Sequence, residues 1–390
     1  RVKILWHSNS PWAPTGYGQQ TKLFAPRIAK HYDLAISSFY GLEGDALDWQ
    51  GIRVFPGLGG EYGNACIPRH AEHYFAGDPG MVVTLLDVWV LEAAMAAGLP
   101  MTCWTPVDHD PAPPGVMGFF ADSGAIPIAM SRFGRDQLAM FDPLYVPHAV
   151  DTEAYRPHDR AECRKLTGVD EDAFLVGMVA ANKGRPSRKS FQEALQAFAQ
   201  LRERHDNAFL YLHTTIDANF SQGEDLMALV NALQLPEGSV LVADQYRQAF
   251  RPISPEMMAR VYSTFDVLLN PARGEGFGVP ILEAQACGIP AIVTDFSAMA
   301  EVTGAGWRVG CVPVWTGQRS WQAVPDVEGI AKALEACYRR SDAERDEMAE
   351  QARAHALTYD VEKIMAEHML PALAEVERRI EARKPVEVAA

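Results

Sequence analysis

Short apolar runs alternate with helical patterns along the whole chain, and this alternation restricts the fold more than any other feature. Such runs, without a polar face, are typical of buried parallel strands. In the first block they are VKILW (2–6), LAISSFY (34–40), MVVTLL (81–86), MTCWTPV (101–107) and IPIAMS (126–131). In the second block they are FLVGMVA (174–180), AFLYLHTT (208–215), SVLVAD (239–244), VLLN (267–270) and AIVTD (291–295). Two such blocks predict an α/β fold with two Rossmann-like, doubly wound domains.

Helical patterns fill the intervals between the apolar runs. They are TKLFAPRIAKHY (21–32), VWVLEAAMAAG (88–98), SFQEALQAFAQLRERH (190–205), DLMALVNALQL (225–235) and PEMMARVYSTF (255–265). The polar, proline-containing segment VPHAVDTEAYRPHDR follows the last strand of the first block. We therefore predict domains over residues 1–150 and 151–360, followed by a C-terminal helix over 361–390. Pro371 lies inside that helix and predicts a kink or break, because proline cannot donate the helical hydrogen bond.

Charge and composition exclude several classes of function. The 390 residues carry a net charge of −15, and neither half is basic. We therefore expect no binding to bulk nucleic acid or to anionic membranes, both of which need a positive surface. No apolar run approaches the roughly 20 residues of a membrane helix, so we do not expect an integral membrane protein. The six cysteines include no CxxC pair, and no signal peptide precedes VKILW, which indicates reduced thiols in a cytoplasmic protein.

Residues 271–290 read PARGEGFGVPILEAQACGIP and place two carboxylates among glycines and prolines. The loop PARGEGFG follows the strand VLLN, at the sheet edge where open α/β folds bind ligands. Pro280 and Gly288 are typical of a helix start and a helix end. The free amides and the dipole of this helix predict an anion site fit for phosphate. Glu275 in the loop and Glu283 inside the helix could accept hydrogen bonds from hydroxyls, so the combination favours a sugar nucleotide.

GEGFGVPILEAQACGIP closely resembles the signature of the retaining GT-B glycosyltransferases of family 4, the glycosyl transferases group 1, with its two glutamates spaced E-x7-E. MSRFGRDQL (130–138), VPHAVDTEAYRP (146–157) and DVLLNPARGEGFG (266–278) also resemble segments of that family. The resemblance covers nearly the whole chain. It implies a GT-B fold, with two Rossmann-like domains facing a central cleft, and a C-terminal helix that returns to the N-terminal domain.

The resemblance also implies roles for residues of the second domain. Glu275 would contact the donor sugar near the reacting centre, and Glu283 would bind the ribose hydroxyls. Arg188 and Lys189, in the turn ANKGRPSRKS, would hold the diphosphate. A fixed cation there would stabilise the negative charge that grows on the leaving group. The alternative is that both residues belong to an ordinary solvated helix start. Cations are unfavourable at a helix N-terminus, which argues against that interpretation.

Backbone groups complete the donor-binding set that the resemblance implies. The amides of Phe277, Gly278 and Val279 would meet the diphosphate. In SNSPWAPTGYGQQ, Gly16 and Gly18 predict a flexible loop after the first strand, and the family's matching loop lies against the donor phosphates and the acceptor. A plain surface loop is the alternative. The pattern is not a full GxGxxG, so it is a weak dinucleotide fingerprint.

Polar residues after two other strands of the first domain are further candidates. WTPVDHDP places His109 between Asp108 and Asp110, and the family often has a histidine there, close to the donor sugar. A structural histidine and a metal ligand are the alternatives, but no other ligand cluster is visible and we predict no metal. Asp87 and Trp89 end another strand and, with Asp108, are weaker candidates for the acceptor side.

The chain departs from the family pattern in two places. The family usually has a Gly-Gly pair before the glutamate that follows the next strand. Here DFSAMAEV has Ser297 and Ala298 at that pair and retains Glu301. The segment VPVWTGQRSWQAVPD (312–326) is longer than the usual connection. Both departures could alter the fit of the substrates.

We interpret the chain as an enzyme that moves a sugar from a nucleoside diphosphate donor, UDP- or GDP-linked, to an acceptor hydroxyl with retention of anomeric configuration. No further cofactor is expected. The alternatives are a sugar-nucleotide epimerase of the same fold and a non-catalytic nucleotide-sugar binder. A dinucleotide oxidoreductase is disfavoured by the incomplete glycine fingerprint. The sequence leaves open the donor sugar and base, the acceptor (a saccharide, a lipid-linked sugar or a small molecule), the linkage and the oligomeric state.

Overall fold

The computed structural model describes residues 2–250 and 253–383, which divide into two compact units. The first unit comprises the described residues up to Ala149, the segment Gly317–Ser320 and the described residues from Val361 onward. The second unit comprises the described residues of Val150–Thr316 together with Trp321–Asp360. The chain therefore enters the second unit at Val150, leaves it for the four residues Gly317–Ser320, and returns to the first unit at Val361.

The first unit contains strands β1–β8, with helices α1–α5 between them and α16 and α17 at its end. The strands are β1 (Lys3–Asn9), β2 (Asp33–Tyr40), β3 (Leu47–Trp49), β4 (Ile52–Phe55), β5 (Gly80–Leu85), β6 (Met101–Thr105), β7 (Ile126–Ala129) and β8 (Leu144–Tyr145). The helices are α1 (Gly16–Ile28), α2 (Cys66–Phe75), α3 (Ala93–Ala97), α4 (Pro114–Ser123), α5 (Arg132–Gln137), α16 (Val361–Ile364) and α17 (Leu370–Glu381). Short 3-10 turns lie at Val88–Val90 and Ala139–Phe141.

The second unit contains strands β9–β16 and helices α6–α15. The strands are β9 (Phe174–Val179), β10 (Ala208–His213), β11 (Val240–Val242), β12 (Val267–Asn270), β13 (Ala291–Thr294), β14 (Gly306–Val309), β15 (Cys311–Trp315) and β16 (Trp321–Pro325). The helices are α6 (Arg160–Thr167), α7 (Phe191–Arg204), α8 (Ala218–Ser221), α9 (Leu226–Ala232), α10 (Gln245–Phe250), α11 (Pro255–Tyr262), α12 (Val279–Ala286), α13 (Ala298–Val302), α14 (Val327–Tyr338) and α15 (Asp342–Leu357).

Each unit is built on a twisted sheet whose strand order reverses once. Within the described residues the first sheet runs β3-β4-β2-β1-β5-β6-β7-β8, and only the β3–β4 pairing is antiparallel. The second sheet runs β11-β10-β9-β12-β13-β14 and is parallel throughout. β15 and β16 form a separate antiparallel hairpin. Because the order reverses between β1 and β5 and between β9 and β12, the loops that leave these strands are where doubly wound sheets bind ligands.

The predicted fold class is confirmed, and the core explains why the strands were visible in the sequence. Central strands are buried on both faces, so they read as continuous apolar runs: the residues from Ile4 to Trp6 in β1 and from Leu268 to Leu269 in β12 are completely buried. In the first unit the rings of Trp6 and Phe24 both pack against Trp104, with centroids 6.1 and 5.1 Å away. Such close packing leaves little freedom in how the strands and helices meet.

The helix predicted over residues 88–98 is only partly correct, because a helix ends at Gly98 but does not begin at Val88. The chain forms the 3-10 turn Val88–Val90, becomes extended at Leu91 and then forms α3. The Asn64 side chain accounts for the break, because it donates to the Val90 carbonyl at 3.1 Å and accepts from the Glu92 amide at 2.8 Å. These two bonds satisfy backbone groups that a continuous helix would have paired internally.

The C-terminal helix is interrupted immediately before Pro371, as the sequence predicts. A π-helical turn, Met365–Met369, joins α16 to α17, and the Leu370 amide bonds to the Met365 carbonyl. Proline has no N–H to continue the helical ladder, which favours such an irregular turn. Within the part of the chain that the structure describes, no helix combines the length and the apolar character needed to span a bilayer.

Candidate active site

The candidate residues of the second unit come from the two strands at its topological switch point. β9 leads into the loop that carries Arg188 and Lys189, and β12 leads into the loop that carries Glu275. The two loops are joined through the backbone, because the Arg273 amide donates to the Arg188 carbonyl at 2.7 Å. Glu275 is thereby held at one edge of the sheet with Lys189 and Arg188, which lie 86 and 87 positions away in sequence.

Glu275 is a buried carboxylate held by two cations. Lys189 Nζ donates to its Oε1, and Arg188 Nη1 donates to its Oε2 at 3.3 Å and to the Gly274 carbonyl at 2.9 Å. The Lys189 side chain is only 14% exposed, whereas that of Arg188 is 48% exposed. Lys189 is thus a nearly buried partner, and Arg188 presents part of its guanidinium to solvent.

The cations decide the charge of Glu275. Burial by itself raises the pKa of this carboxyl, but attraction to Lys189 and Arg188 and the hydrogen bonds they donate outweigh burial and bring the pKa below its ordinary value. The group is therefore an anion at neutral pH. One buried negative charge faces two positive charges, so the cluster has an excess of positive charge at the edge of the sheet.

Ser297 fixes the backbone of Glu275 and explains the departure from the family's Gly-Gly pair. Its Oγ accepts the Glu275 amide hydrogen at 3.0 Å. Its backbone has φ 54° and ψ −147°, a conformation that favours glycine. The serine therefore occupies a strained, glycine-like position and contributes a hydrogen bond that glycine cannot make.

Glu283 lies in α12, buried, and is already hydrogen-bonded within the protein. The Tyr262 hydroxyl donates to its Oε2 at 2.7 Å. Burial raises the pKa of Glu283 to about 7, and the hydrogen bonds from Tyr262 and Tyr155 oppose that rise. Unlike Glu275, Glu283 has no neighbouring cation among the causes of its shift, so it is only partly ionised near neutral pH.

The helix α12 begins as predicted, with Gly278 as its N-cap at φ 98°. The backbone conformation requires glycine here, and an alanine Cβ would in addition lie 2.8 Å from Ile281 Cδ1, so that side chain would have to shift. The amides of Gly278 and Val279 belong to the first turn, whose N–H groups have no acceptor inside the helix. The Phe277 side chain is buried, with its ring 5.8 Å from that of Tyr359.

Gly16 and Gly18 do not form the predicted flexible loop, and that prediction is wrong. Both lie in the first turn of α1, where the Thr15 hydroxyl accepts the Gly18 amide hydrogen at 3.0 Å. A Cβ on Gly18 would lie 2.4 Å from the Ala13 carbonyl oxygen, whereas a Cβ on Gly16 would meet nothing within 4 Å. Gly18 is therefore needed for close packing, and the helix dipole, rather than loop flexibility, is what this segment offers a ligand.

The polar candidates of the first unit lie at the carboxyl edge of its sheet. His109 is buried and its Nδ1 is 2.7 Å from Asp108 Oδ1, which favours a proton on Nδ1. Asp87 Oδ2 accepts from the Tyr17 hydroxyl at 3.0 Å, so the first turn of α1 meets the segment that follows β5. Trp89 is exposed. Within the described residues, no group of three or more His, Cys, Asp or Glu side chains is arranged to hold a metal ion.

The sequence did not identify Tyr262, Tyr155 or Ser297 as site residues. Tyr262 lies on the apolar face of α11 and resembles an ordinary core residue. Ser297 was marked only as a departure from the family pattern. A cavity of about 870 Å³ in the first unit, lined in part by Lys3 and Asp33, lies at the amino edge of the sheet, opposite the carboxyl edge that carries His109 and Asp87.

Comparison with known proteins finds a family match within the second unit. Residues 173–340 match the family model described as "Glycosyl transferases group 1". The D-inositol 3-phosphate glycosyltransferase of Paenarthrobacter aurescens is 29% identical over 239 residues, which cover 61% of this chain and 52% of that protein. The lipopolysaccharide core biosynthesis mannosyltransferase LpsB of Rhizobium meliloti is 26% identical over 167 residues, or 42% of this chain and 44% of that protein. The chain thus spans about half the length of these curated relatives.

Solved structures match nearly the whole fold. Sucrose-phosphate synthase from Thermosynechococcus elongatus has a TM-score of 0.74 and 17% identity, covering 98% of this chain and all of that one. Anabaena Alr3699/HepE, in complex with UDP and glucose, has a TM-score of 0.68 and 16% identity over 96% of this chain and all of that one. Identities this low establish the fold alone, and it is the GT-B fold. The similarity to the glycosyl transferases group 1 thus covers residues 173–340, and the likeness to solved structures extends the fold to nearly the whole chain.

Proposed function

We propose that the chain transfers a sugar from a nucleoside diphosphate sugar to an acceptor hydroxyl, with retention of anomeric configuration. The observation that carries the proposal is the buried Glu275, held by Lys189 and Arg188 beside the N-terminus of α12. In this cluster a carboxylate can accept hydrogen bonds from sugar hydroxyls, and the cations and amides beside it can hold a diphosphate. The names of the curated relatives, which are glycosyltransferases, support the same reaction class.

The positive charge of the cluster would stabilise the nucleoside diphosphate as it leaves. As the bond between the anomeric carbon and the phosphate oxygen lengthens, that oxygen becomes more negative, and a fixed cation nearby gains energy in the transition state. Lys189 would act from a nearly buried position, and the half-exposed Arg188 would approach the phosphates from solvent. The α12 amides of Gly278 and Val279 add the positive end of a helix dipole. With these groups present, the proposal includes no metal.

Glu275 and Glu283 take different parts in the proposal. Glu275, an anion bound to two cations, would accept hydrogen bonds from hydroxyls of the donor sugar at the reacting centre. Glu283 would bind the ribose hydroxyls in place of its hydrogen bond from Tyr262. Hydroxyl donors favour the ionised carboxylate, so donor binding is expected to lower the pKa of Glu283 from about 7.

His109 is proposed to contact the hydroxyls of the donor sugar. A proton on Nδ1, held by Asp108, leaves Nε2 as the acceptor. Asp87, Trp89 and Asp108 are proposed for the acceptor side. In the retaining step the acceptor oxygen bonds to the anomeric carbon on the face that the phosphate leaves, and the acceptor proton passes to the departing phosphate oxygen. The products are a glycoside and a nucleoside diphosphate.

Donor binding is tested first, by thermal shift with UDP, GDP, UDP-glucose and GDP-mannose. UDP-glucose is chosen because it is bound in the Alr3699/HepE structure, and GDP-mannose because one relative is a mannosyltransferase. A ligand at about 100 times its Kd stabilises the fold by about 2.7 kcal/mol. No shift with any nucleotide overturns the proposal.

Turnover is tested by ¹H NMR of the anomeric proton, with inositol 3-phosphate and simple glycosides as acceptors. Retention predicts a product with the donor's anomeric configuration. A nucleotide sugar that changes configuration without an acceptor would indicate the epimerase, and binding without turnover would indicate the non-catalytic binder. Lys189→Ala is expected to lower kcat/KM on the order of 100-fold, about 2.7 kcal/mol, while the exposed Lys165→Ala serves as the matched control.

A further inference from the structure

The β15–β16 hairpin carries a pair of exposed tryptophans. Trp315 ends β15, Trp321 begins β16, and the two are directly opposite in the antiparallel register. Their rings meet edge to face, with centroids 5.0 Å apart and planes at 70°. The side chains are nonetheless in water, since Trp315 is 56% and Trp321 41% exposed. The hairpin thus presents an aromatic surface, which we call the tryptophan platform, at the end next to its turn.

Stabilisation of the hairpin does not by itself account for this exposure. A cross-strand aromatic pair does stabilise an antiparallel hairpin. This hairpin is also anchored elsewhere, because Gln322, Ala323 and Pro325 are buried. Two large apolar side chains left half in water, side by side, are typical of a surface that meets a ligand.

The platform is fixed to the loop of the candidate active site. The Ala323 amide donates to the Arg273 carbonyl at 2.9 Å, and Arg273 precedes Glu275 by two residues. The Asp326 amide donates to the Gly310 carbonyl at 2.8 Å and closes the base of the hairpin. Because the bond between Ala323 and Arg273 joins backbone to backbone, the link between the hairpin and the Glu275 loop does not depend on a side-chain rotamer.

We propose that the tryptophan platform binds a pyranose ring of the acceptor. One side of a pyranose carries several C–H bonds and is apolar, so it packs on an indole face while the hydroxyls at the ring edge stay in water. Tryptophan gives such a contact a large area with little loss of side-chain entropy. The proposal rests on the proposed function, because it is the transfer of sugar at Glu275 that makes a saccharide the expected occupant.

A lipid surface is the other ligand that exposed tryptophans can meet, and the charge of the hairpin segment itself does not favour it. Binding to an anionic membrane needs basic residues around the apolar side chains. The segment 310–326 contains one basic residue, Arg319, and one acidic residue, Asp326. It therefore has no net charge with which to attract anionic lipid.

The test uses the full chain labelled with 5-fluorotryptophan and ¹⁹F NMR. The eight tryptophans give separate probes, and single Trp→Phe variants assign the signals of Trp315 and Trp321. Methyl α-D-glucopyranoside, methyl α-D-mannopyranoside and cellobiose are added in the presence of UDP, up to about 0.1 M, where a complex with a Kd of about 10 mM is nearly saturated. We expect the Trp315 and Trp321 signals to move with at least one saccharide.

Variants then separate binding from a structural role. Trp315→Ala and Trp321→Ala should each weaken saccharide binding about tenfold, and Trp315→Tyr should restore most of it. Val312→Ala, at a 63% exposed position of the same hairpin, should change nothing. The thermal shift with UDP should be unchanged in all of them, so a failure of the platform is distinguishable from a failure of donor binding. The proposal is overturned if neither tryptophan signal moves with any saccharide, or if both move only with phosphatidylglycerol vesicles.

Discussion

Replacing Lys189 by methionine tests whether the cation holds Glu275 in its charged, buried state. Methionine keeps much of the length of the side chain and removes the charge. Breaking a buried ion pair from one side costs about 3–5 kcal/mol, because the remaining charge is left without its partner. Arg188 stays within 3.3 Å of the other carboxylate oxygen and compensates in part. We therefore expect Lys189→Met to destabilise the second unit by about 2–3 kcal/mol.

A double-mutant cycle isolates the interaction from the effects of each substitution. Glu275→Gln alone leaves Lys189 nearly buried without its anion, whereas the double variant Lys189→Met, Glu275→Gln leaves neither charge. The double variant should therefore be less destabilised than the sum of the single variants, with a coupling of at least about 2 kcal/mol. The exposed pair of Lys165 and Glu162, at 2.6 Å, is the matched control and should show far weaker coupling.

The assay is equilibrium denaturation followed by hydrogen exchange of peptides from β12 and α12. Local exchange is chosen because a chain of two units need not unfold in one step. The pH dependence gives a second readout. The pKa of Glu275 is lowered in the folded state, so its stabilising contribution is present above the unfolded pKa and is lost as the pH falls through the folded one. Lys189→Met should reduce the stability lost at low pH, because Lys189 lowers the pKa of Glu275. A coupling no larger than that of the control pair would refute the reasoning.

Three further predictions follow from the geometry of the same unit. Burial raises the pKa of Glu283 to about 7, so its contribution to stability is complete below the unfolded pKa of about 4.3 and is lost as the pH rises towards 7. Glu283→Gln should therefore flatten the fall of the denaturation midpoint between these pH values. Tyr262→Phe should raise the pKa of the Glu283 carboxyl further, because it removes a hydrogen bond that favours the anion. Ser297→Ala should be less stable than Ser297→Gly by about 1 kcal/mol, because neither variant has the hydroxyl but only alanine has a Cβ that is strained at the positive φ; equal midpoints would contradict the strained backbone. Gly278→Ala should cost about 1–3 kcal/mol, since φ is 98° and the new Cβ would meet Ile281, as measured by chemical denaturation.

The central strands and the main helices of the second unit could be predicted from the sequence because their signals are local. A strand buried on both faces must be apolar throughout, and α7 and α11 lie where their periodicity places them. The start of α12 was likewise indicated by Pro280, which lies in its first turn. β3 and β4 escaped prediction, since their short runs contain polar residues and are stabilised by pairing with each other and with β2.

Features that depend on tertiary contacts were missed or wrongly predicted from the sequence. Asn64 breaks the predicted helix over 88–98. The loop expected at Gly18 is instead the first turn of α1, where the Thr15 hydroxyl caps the helix. The spacing of Glu275 and Glu283 marked both carboxylates, but it carried no information on their charge states.

Those charge states are set by groups brought close only by the fold. Lys189, 86 residues away in sequence, makes Glu275 an anion, whereas Glu283 faces Tyr262 and no cation and has a pKa near 7. The residue types and their places at the ends of strands were determined by the sequence alone. Which carboxylate is charged was decided by tertiary structure, because burial and Coulomb interactions depend on distance in space and not along the chain.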